Sequence, residues 1–204
     1  MTGTTGRAAK DRRADTLRET RRKLIVEAAK RVFVADGLEA ASMRAIAAEA
    51  GCTTGALYPL FRGKEEIYAA VLSEQLGALM QAVSDAVAAE GDPAVAARAG
   101  LDAFFRYYRE RPDELALGLY LFRGLKPAGL TSDLDRALNE RLIRVFGLIE
   151  GRYARAGDAN PRARTAAGIA QAVGLLVLEQ TGRLRLFGTP APGLMAAWLK
   201  GPGG

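Results

Sequence analysis

The residues of this chain best suited to chemistry lie close together between Ser42 and Thr54. Arg44 presents a planar fork of donors that matches the O6 and N7 acceptors of a guanine edge. Ser42, Thr53 and Thr54 carry hydroxyls suited to phosphate oxygens or base edges. Gly55 follows directly, and a glycine costs about 1 kcal/mol in a helix relative to alanine. Either a close backbone approach to a ligand or tight packing on a neighbouring helix accounts for it. This is the chemistry of gripping a polyanion. Each residue also has a plainer role: a surface arginine for Arg44, a solvent-facing threonine for Thr54, and simple helix caps for Ser42 and Thr53.

Bond-breaking chemistry finds little support. The 204 residues include no histidine, which removes Ser-His-Asp and Cys-His catalysis and the usual zinc sites. Cys52 is the single cysteine, so no intrachain disulfide forms. Gly63-Lys64 lacks the earlier glycine and the following Ser/Thr of a phosphate loop. The carboxylates are interspersed with arginines, as on a solvated helical surface. No enzyme activity, metal or cofactor is expected.

Charge points toward an anionic partner. The net charge is +6, and residues 1–72 hold 13 Lys/Arg against 9 Asp/Glu. Arg7, Lys10, Arg12, Arg13, Arg18, Arg21, Arg22 and Lys23 crowd into one short stretch. The longest apolar run, Ala166 to Leu178, is broken by Gln171 and falls short of the ~20 residues that span a bilayer. No signal peptide is visible, and a cytoplasmic location with no membrane partner is expected.

The elements that must position these residues read as helices throughout. Sustained two-residue alternation is absent, so the fold class is all-α. A disordered basic arm is expected over 1–14. The first helix then spans about Thr16 to Asp36, with Leu24, Ile25, Ala28, Ala29, Val32 and Phe33 as its apolar stripe, and Gly37 ends it. Ser42 caps a short second helix over about 43–50. Gly51-Cys52-Thr53 is a turn, with Cys52 tucked beneath it as a small hydrophobe, and Thr53 caps a short third helix ending near Leu60. Pro59 disfavours helical geometry at Tyr58, which leaves that end open. Short helix, glycine turn and short helix make a helix-turn-helix. A long fourth helix follows over about Lys64 to Ala89. Five more run to Leu199, with starts marked by Asp92-Pro93, Pro112, Ser132 and Asn160-Pro161. Gly124 to Gly129 reads as a loop, and 201–204 as a disordered tail. About nine helices result. They divide into a helix-turn-helix domain over 15–63 and a helical body over 64–200.

The string from Ala28-Ala29 through Phe33 and Gly37, then Ser42 to Glu65 with Ile46-Ala47, Ala50-Gly51, Gly55-Ala56-Leu57-Tyr58 and Lys64-Glu65, closely resembles the N-terminal domain of the TetR (tetracycline-repressor-like) family. The resemblance covers roughly residues 20–72. It implies a transcriptional regulator, a homodimer whose third helices enter successive major grooves of a palindromic double-stranded DNA operator, and a body that binds a small-molecule effector. It also implies repression rather than activation. Tyr58 matches the family's tyrosine, with its ring on sugar or thymine methyl and its hydroxyl on phosphate, against the alternative of a half-buried core tyrosine. Lys64 matches the family's phosphate-contacting lysine, against an ordinary first-turn lysine. Gly63 stands where a side-chain cap is more usual, which leaves the fourth helix's start looser.

In the body, Phe104, Tyr107, Tyr108, Leu117, Tyr120, Leu121 and Val173 are candidates to line an effector pocket, or to be core. A largely apolar lining implies a hydrophobic or aromatic effector. The eighth helix is apolar on almost every side and must be covered all round. Ile169, Ala172, Val173, Leu176 and Trp198 are the candidate dimerisation residues, with Gly168 and Gly174 permitting close approach; a buried central helix of a monomer is the alternative. Two other functions stand beside the regulator: a helical small-molecule-binding protein, and a non-specific architectural DNA binder without regulated release.

Overall fold

The computed structural model of the chain describes residues 4–118 and 130–201, with side chains from residue 12 onward. Tyr120, Leu121, the expected loop at 124–129, and the last three tail residues lie outside the described residues. The described residues hold eight α-helices and two short 3-10 turns, and no strand. The fold is all-α, as the spacing of apolar residues requires. The chain divides into two compact units. The first takes the described residues up to Leu72 together with 130–135, and the second takes Ser73–Gly118 and those from Arg136 onward.

In the first unit, α1 (Thr4–Ala40) is followed by α2 (Met43–Glu49), a 3-10 turn (Thr54–Ala56) and the start of α3 (Lys64–Ala88). Helix α1 begins well before Thr16, so the arm expected to be disordered is helical from Thr4. Ala8, Ala9, Lys10 and Ala14 are strong helix formers, and extending a helix already anchored by packing avoids the cost of nucleation. Gly37 breaks the helical path with φ +73°, where it was expected to end the helix. Ile25, Val26, Ala28, Ala29 and Phe33 are buried with Ile46, Ala47, Leu57, Phe61 and Ile67. Phe33 meets Tyr68 edge-on, with ring centroids 5.0 Å apart. Leu24 departs from the expected stripe: it is 62% exposed, and Val26 is buried instead.

The third helix is the element that differs most from expectation. Only Thr54–Ala56 forms a 3-10 helix, closed by Ala56 N–H on Thr53 O and Leu57 N–H on Thr54 O. The chain then makes a further turn in which Leu60 and Phe61 both donate to Leu57 O. Pro59 has no N–H to return to Gly55, and Tyr58 precedes a proline, so a regular α-helix is interrupted there.

In the second unit, the rest of α3 joins α4 (Pro93–Glu110), α5 (Pro112–Gly118), α6 (Ser132–Arg155), α7 (Pro161–Gln180), a 3-10 turn (Arg183–Phe187) and α8 (Ala191–Lys200). Asp92 and Asn160 accept from the amides of Val95 and Ala163, capping α4 and α7 directly ahead of their first-turn prolines. Helix α4 packs against α7 at very short range. A Cβ on Gly168 would lie 2.5 Å from Leu101, and one on Gly100 would lie 2.8 Å from Val87 and 2.9 Å from Ile149. Gly77, on α3, has nothing within 4 Å of such a Cβ.

Gly168→Ala is therefore expected to destabilise the protein by about 1–3 kcal/mol through overpacking. Gly77→Ala is expected to be neutral or to stabilise by up to about 1 kcal/mol. Urea denaturation of both variants checks this; equal effects would show that the α4–α7 approach is not tight.

Candidate nucleic-acid interface and effector site

The helix-turn-helix is closed by backbone geometry. Gly51 adopts φ +66°, which lets Cys52 N–H reach Ala47 O and Gly51 N–H reach Ala48 O. This pairing satisfies the carbonyls at the end of α2 and turns the chain sharply. Ser42 caps the other end of α2, its Oγ accepting from Ala45 N–H at 3.1 Å. Thr53 occupies the cap position of the next turn, but its side chain makes no cap hydrogen bond, contrary to expectation. A 3-10 turn of three residues presents few free amides for it to satisfy. Its hydroxyl is exposed.

Beyond the turn the residues sort sharply. Leu57 and Phe61 are buried, as core residues should be. Between them Tyr58 is 57% exposed, which removes the core-tyrosine alternative. Gly55 is exposed, and a Cβ there would meet only Thr53 Oγ1, at 3.9 Å. Tight packing on α2 therefore does not explain this glycine. Thr54 is partly exposed and Arg44 lies exposed on α2. Thr53, Gly55 and Tyr58 are thus exposed and Thr54 partly so, within six residues of one another.

Two arginines of α1 reach the residues after the turn, a role not assigned to them from the sequence. Arg18 donates to Pro59 O at 3.3 Å, and the Arg22 guanidinium stands 5.0 Å over the Phe61 ring. Their i,i+4 spacing is the signal that places both on one side of α1. Leu17, Leu24, Cys52, Pro59 and Leu60 line an open groove of about 820 Å³, so Cys52 is only partly covered.

Lys64 is more committed than expected. Its Nζ donates to Glu39 O at 2.8 Å and Ala41 O at 3.0 Å. Two of its three donors thus tie the start of α3 to the entry of the helix-turn-helix, leaving one for a phosphate. The start of α3 is not loose despite Gly63. Glu66 reaches back and accepts from Arg62 N–H at 2.6 Å, doing what a side chain at position 63 would otherwise do.

Residues 25–71 match the sequence model of the bacterial regulatory proteins of the tetR family. Over that segment the chain is similar to the TetR family. It is 38% identical over 101 residues to the HTH-type transcriptional activator FasR of Mycolicibacterium smegmatis, across 49% of this chain and 46% of that protein. It is 34% identical over 85 residues to the nicotine-responsive repressor HdnoR of Paenarthrobacter nicotinovorans, across 42% and 44% respectively. The chain therefore spans less than half the length of either curated relative it matches. Its fold is similar to that of the Bacillus subtilis regulator FadR, solved in complex with stearoyl-CoA. The TM-score is 0.70 at 15% identity, covering 87% of this chain and 95% of that one.

The second unit holds the remaining candidates. Phe104, Tyr107, Tyr108 and Leu117 are all buried, and Val173 is half-buried. Phe104 and Tyr107 each meet Tyr108 edge-on, with centroids 5.0 and 5.2 Å apart. Tyr107 donates to Glu114 Oε2 at 2.6 Å. Burial, followed by the hydrogen bond to Glu114 and its negative charge, pushes Tyr107 well above the ordinary tyrosine range. Burial, then the Glu114 charge, does the same to Tyr108. Glu179 pairs with Arg109 at 3.1 Å rather than with Arg183 or Arg185.

Two of the expected dimerisation residues need correction. Ala172 and Leu176 are fully buried in the chain's own core, as is Gly168 against Leu101. Helix α7 spends that face on α4, so these positions have no surface to offer a partner. Ile169, Val173 and Trp198 are half-buried and retain some. The sequence reading missed Leu186 and Phe187, which are 84% and 69% exposed on the turn after α7. Among the described residues no group of side chains is arranged to hold a metal, and no helix is long and apolar enough to cross a membrane.

Lys64→Met tests the clamp. It is expected to cost about 1–3 kcal/mol of stability with no DNA present, measured by denaturant titration. An unchanged stability would leave the lysine to nucleic acid alone.

Proposed function

We propose that this protein is a ligand-responsive transcriptional regulator that binds a palindromic operator as a homodimer, represses by occupying it, and is released by a small hydrophobic or aromatic effector. The observation that carries the reading is the surface of Thr53, Thr54, Gly55 and Tyr58, exposed together on a turn whose other side chains, Leu57 and Phe61, are locked in the core. Gly55 has open space in front of it, as a close approach to a sugar-phosphate backbone requires. Arg44 and Ser42 flank this surface, and the third donor of Lys64 serves a phosphate. The match of residues 25–71 to the tetR-family model supports the reading.

Dimerisation uses the outer side of α7, where Ile169, Val173 and the small residues Ala166, Ala170 and Gly174 remain accessible, together with Trp198, Leu186 and Phe187. The effector occupies the second unit beside its buried aromatic cluster. The FadR neighbour's stearoyl-CoA supports an apolar ligand. For release, the effector must bind a conformer with misplaced reading heads more tightly than the DNA-bound one, by a coupling of about 1–3 kcal/mol.

The test is binding of the purified protein, at fixed salt, to DNA from upstream of its own gene and to a scrambled duplex. A footprint with half-sites about 34–36 Å apart, or a multiple of that, is expected. Tyr58→Ala is expected to weaken specific binding about tenfold by losing a phosphate hydrogen bond. Gly55→Ala is expected to weaken it while leaving thermal stability intact. Equal weak binding to both duplexes favours an architectural binder. No binding at low salt favours a helical ligand-binding protein.

A further inference from the structure

Leu17 and Leu24 lie about two helical turns apart on one side of α1, and both stand in solvent, 54% and 62% exposed. A single exposed leucine is ordinary, but these two line the same open groove of about 820 Å³ within the first unit. Its other side comes from the helix-turn-helix, where Cys52, Ala56 and Leu60 recur at every fourth residue, with Pro59 beside them. Two cations also line it. Arg21 sits between the two leucines along α1, and Arg18 precedes it by about one turn. Arg18 uses one of its five N–H groups on Pro59 O, and Arg21 makes no hydrogen bond or ion pair among the described residues. No carboxylate is among the residues that line the groove. An accessible apolar trough and an uncompensated positive edge thus occupy one place.

We propose that this groove binds a small amphiphilic anion: an apolar body against Leu17, Leu24 and Leu60, and a carboxylate, sulfonate or phosphate head on Arg21 and Arg18. The site lies wholly in the first unit and stands apart from the reading of the second unit as an effector-binding body. Its volume is that of a site for one small molecule, roughly 300–1,000 Å³. The lining selects the ligand from both sides. A free inorganic anion would meet the guanidiniums and leave the leucines wet, whereas a neutral apolar molecule would cover the leucines and leave the guanidiniums unused. A guanidinium is weakly hydrated and binds such heads through paired N–H groups, so it works beside an apolar wall where an ammonium would not. Duplex DNA fits poorly, because a sugar-phosphate backbone has no apolar body to cover Leu17 and Leu24.

Cys52 is the chain's single cysteine and lines the groove, so its reaction with iodoacetamide in the full-length protein reports on this place alone. Anilinonaphthalene sulfonate, an apolar ring system with one anionic head, is expected to slow that reaction, and the concentration giving half protection reads its affinity. Phenylnaphthylamine, the same rings without the sulfonate, is the neutral control. Arg21→Gln is expected to weaken the sulfonate about fivefold, the size of one exposed ion pair, and to leave the neutral probe unchanged. Leu24→Ser is expected to weaken both probes about threefold through lost apolar contact. Both side chains are exposed, so neither substitution is expected to move the melting temperature by more than about 2 °C. A Cys52 that is inert in the free protein, or that reacts equally fast with and without the sulfonate, overturns the site. Arg21→Gln that weakens both probes alike, or neither, overturns the anionic assignment. A duplex of arbitrary sequence that protects Cys52 at low salt as strongly as the sulfonate gives the groove to nucleic acid and overturns the proposal.

Discussion

Leu57 and Phe61 are four residues apart and must share one side of a turn to be buried together. The exposure of the residues around them follows from that. With those two side chains buried, Tyr58 between them is turned outward, and Thr53 and Gly55 before them are exposed as well. The hydrophobic effect, which has no direction of its own, thereby aims a set of polar groups. The Arg22 guanidinium over Phe61 and the Arg18 bond to Pro59 O brace the turn from behind. Basic residues that add to the positive field are thus also part of the frame.

The second unit answers to a different constraint, the distance at which helices meet. A methyl group on Gly100 would strike Val87 of α3 and Ile149 of α6, and one on Gly168 would strike Leu101, so α7 lies close against α4. That approach uses the face of α7 carrying Ala172 and Leu176. The remaining face is built of small and half-buried apolar residues, and the exposed Leu186 and Phe187 follow it. A helix that looks apolar all round is in fact divided between a face packed inside the chain and a face left accessible. Next to this packing sits a small polar cluster at Tyr107 and Glu114, in which burial and a neighbouring negative charge keep the phenol protonated.

Much of this was legible in the chain. The helical period, the cap-proline pairs at Asp92-Pro93 and Asn160-Pro161, and Gly37 and Gly51 at positive φ are local features, dictated by backbone sterics within a few residues. So was the proline that breaks the third helix. Less legible was any property set by what lies opposite. Leu24 fits an apolar stripe by spacing yet is exposed, at the edge of the open groove it lines with Pro59 and Leu60. Thr53 has the type of a cap but no cap bond. Lys64 reads as a free ammonium, yet two carbonyls more than twenty residues earlier hold it.

By itself the sequence determined the all-α class and the glycine turn between α2 and the residues after it, because each depends on neighbours along the chain. Tertiary structure alone decided which face of α7 is internal, why Gly55 faces open space, that Arg18 and Arg22 support the turn, and that Gln75 is buried with an unpaired donor. The physical reason is common to all four. Burial and hydrogen-bond satisfaction are properties of pairs brought together from distant positions, and spacing along one chain does not encode the partner.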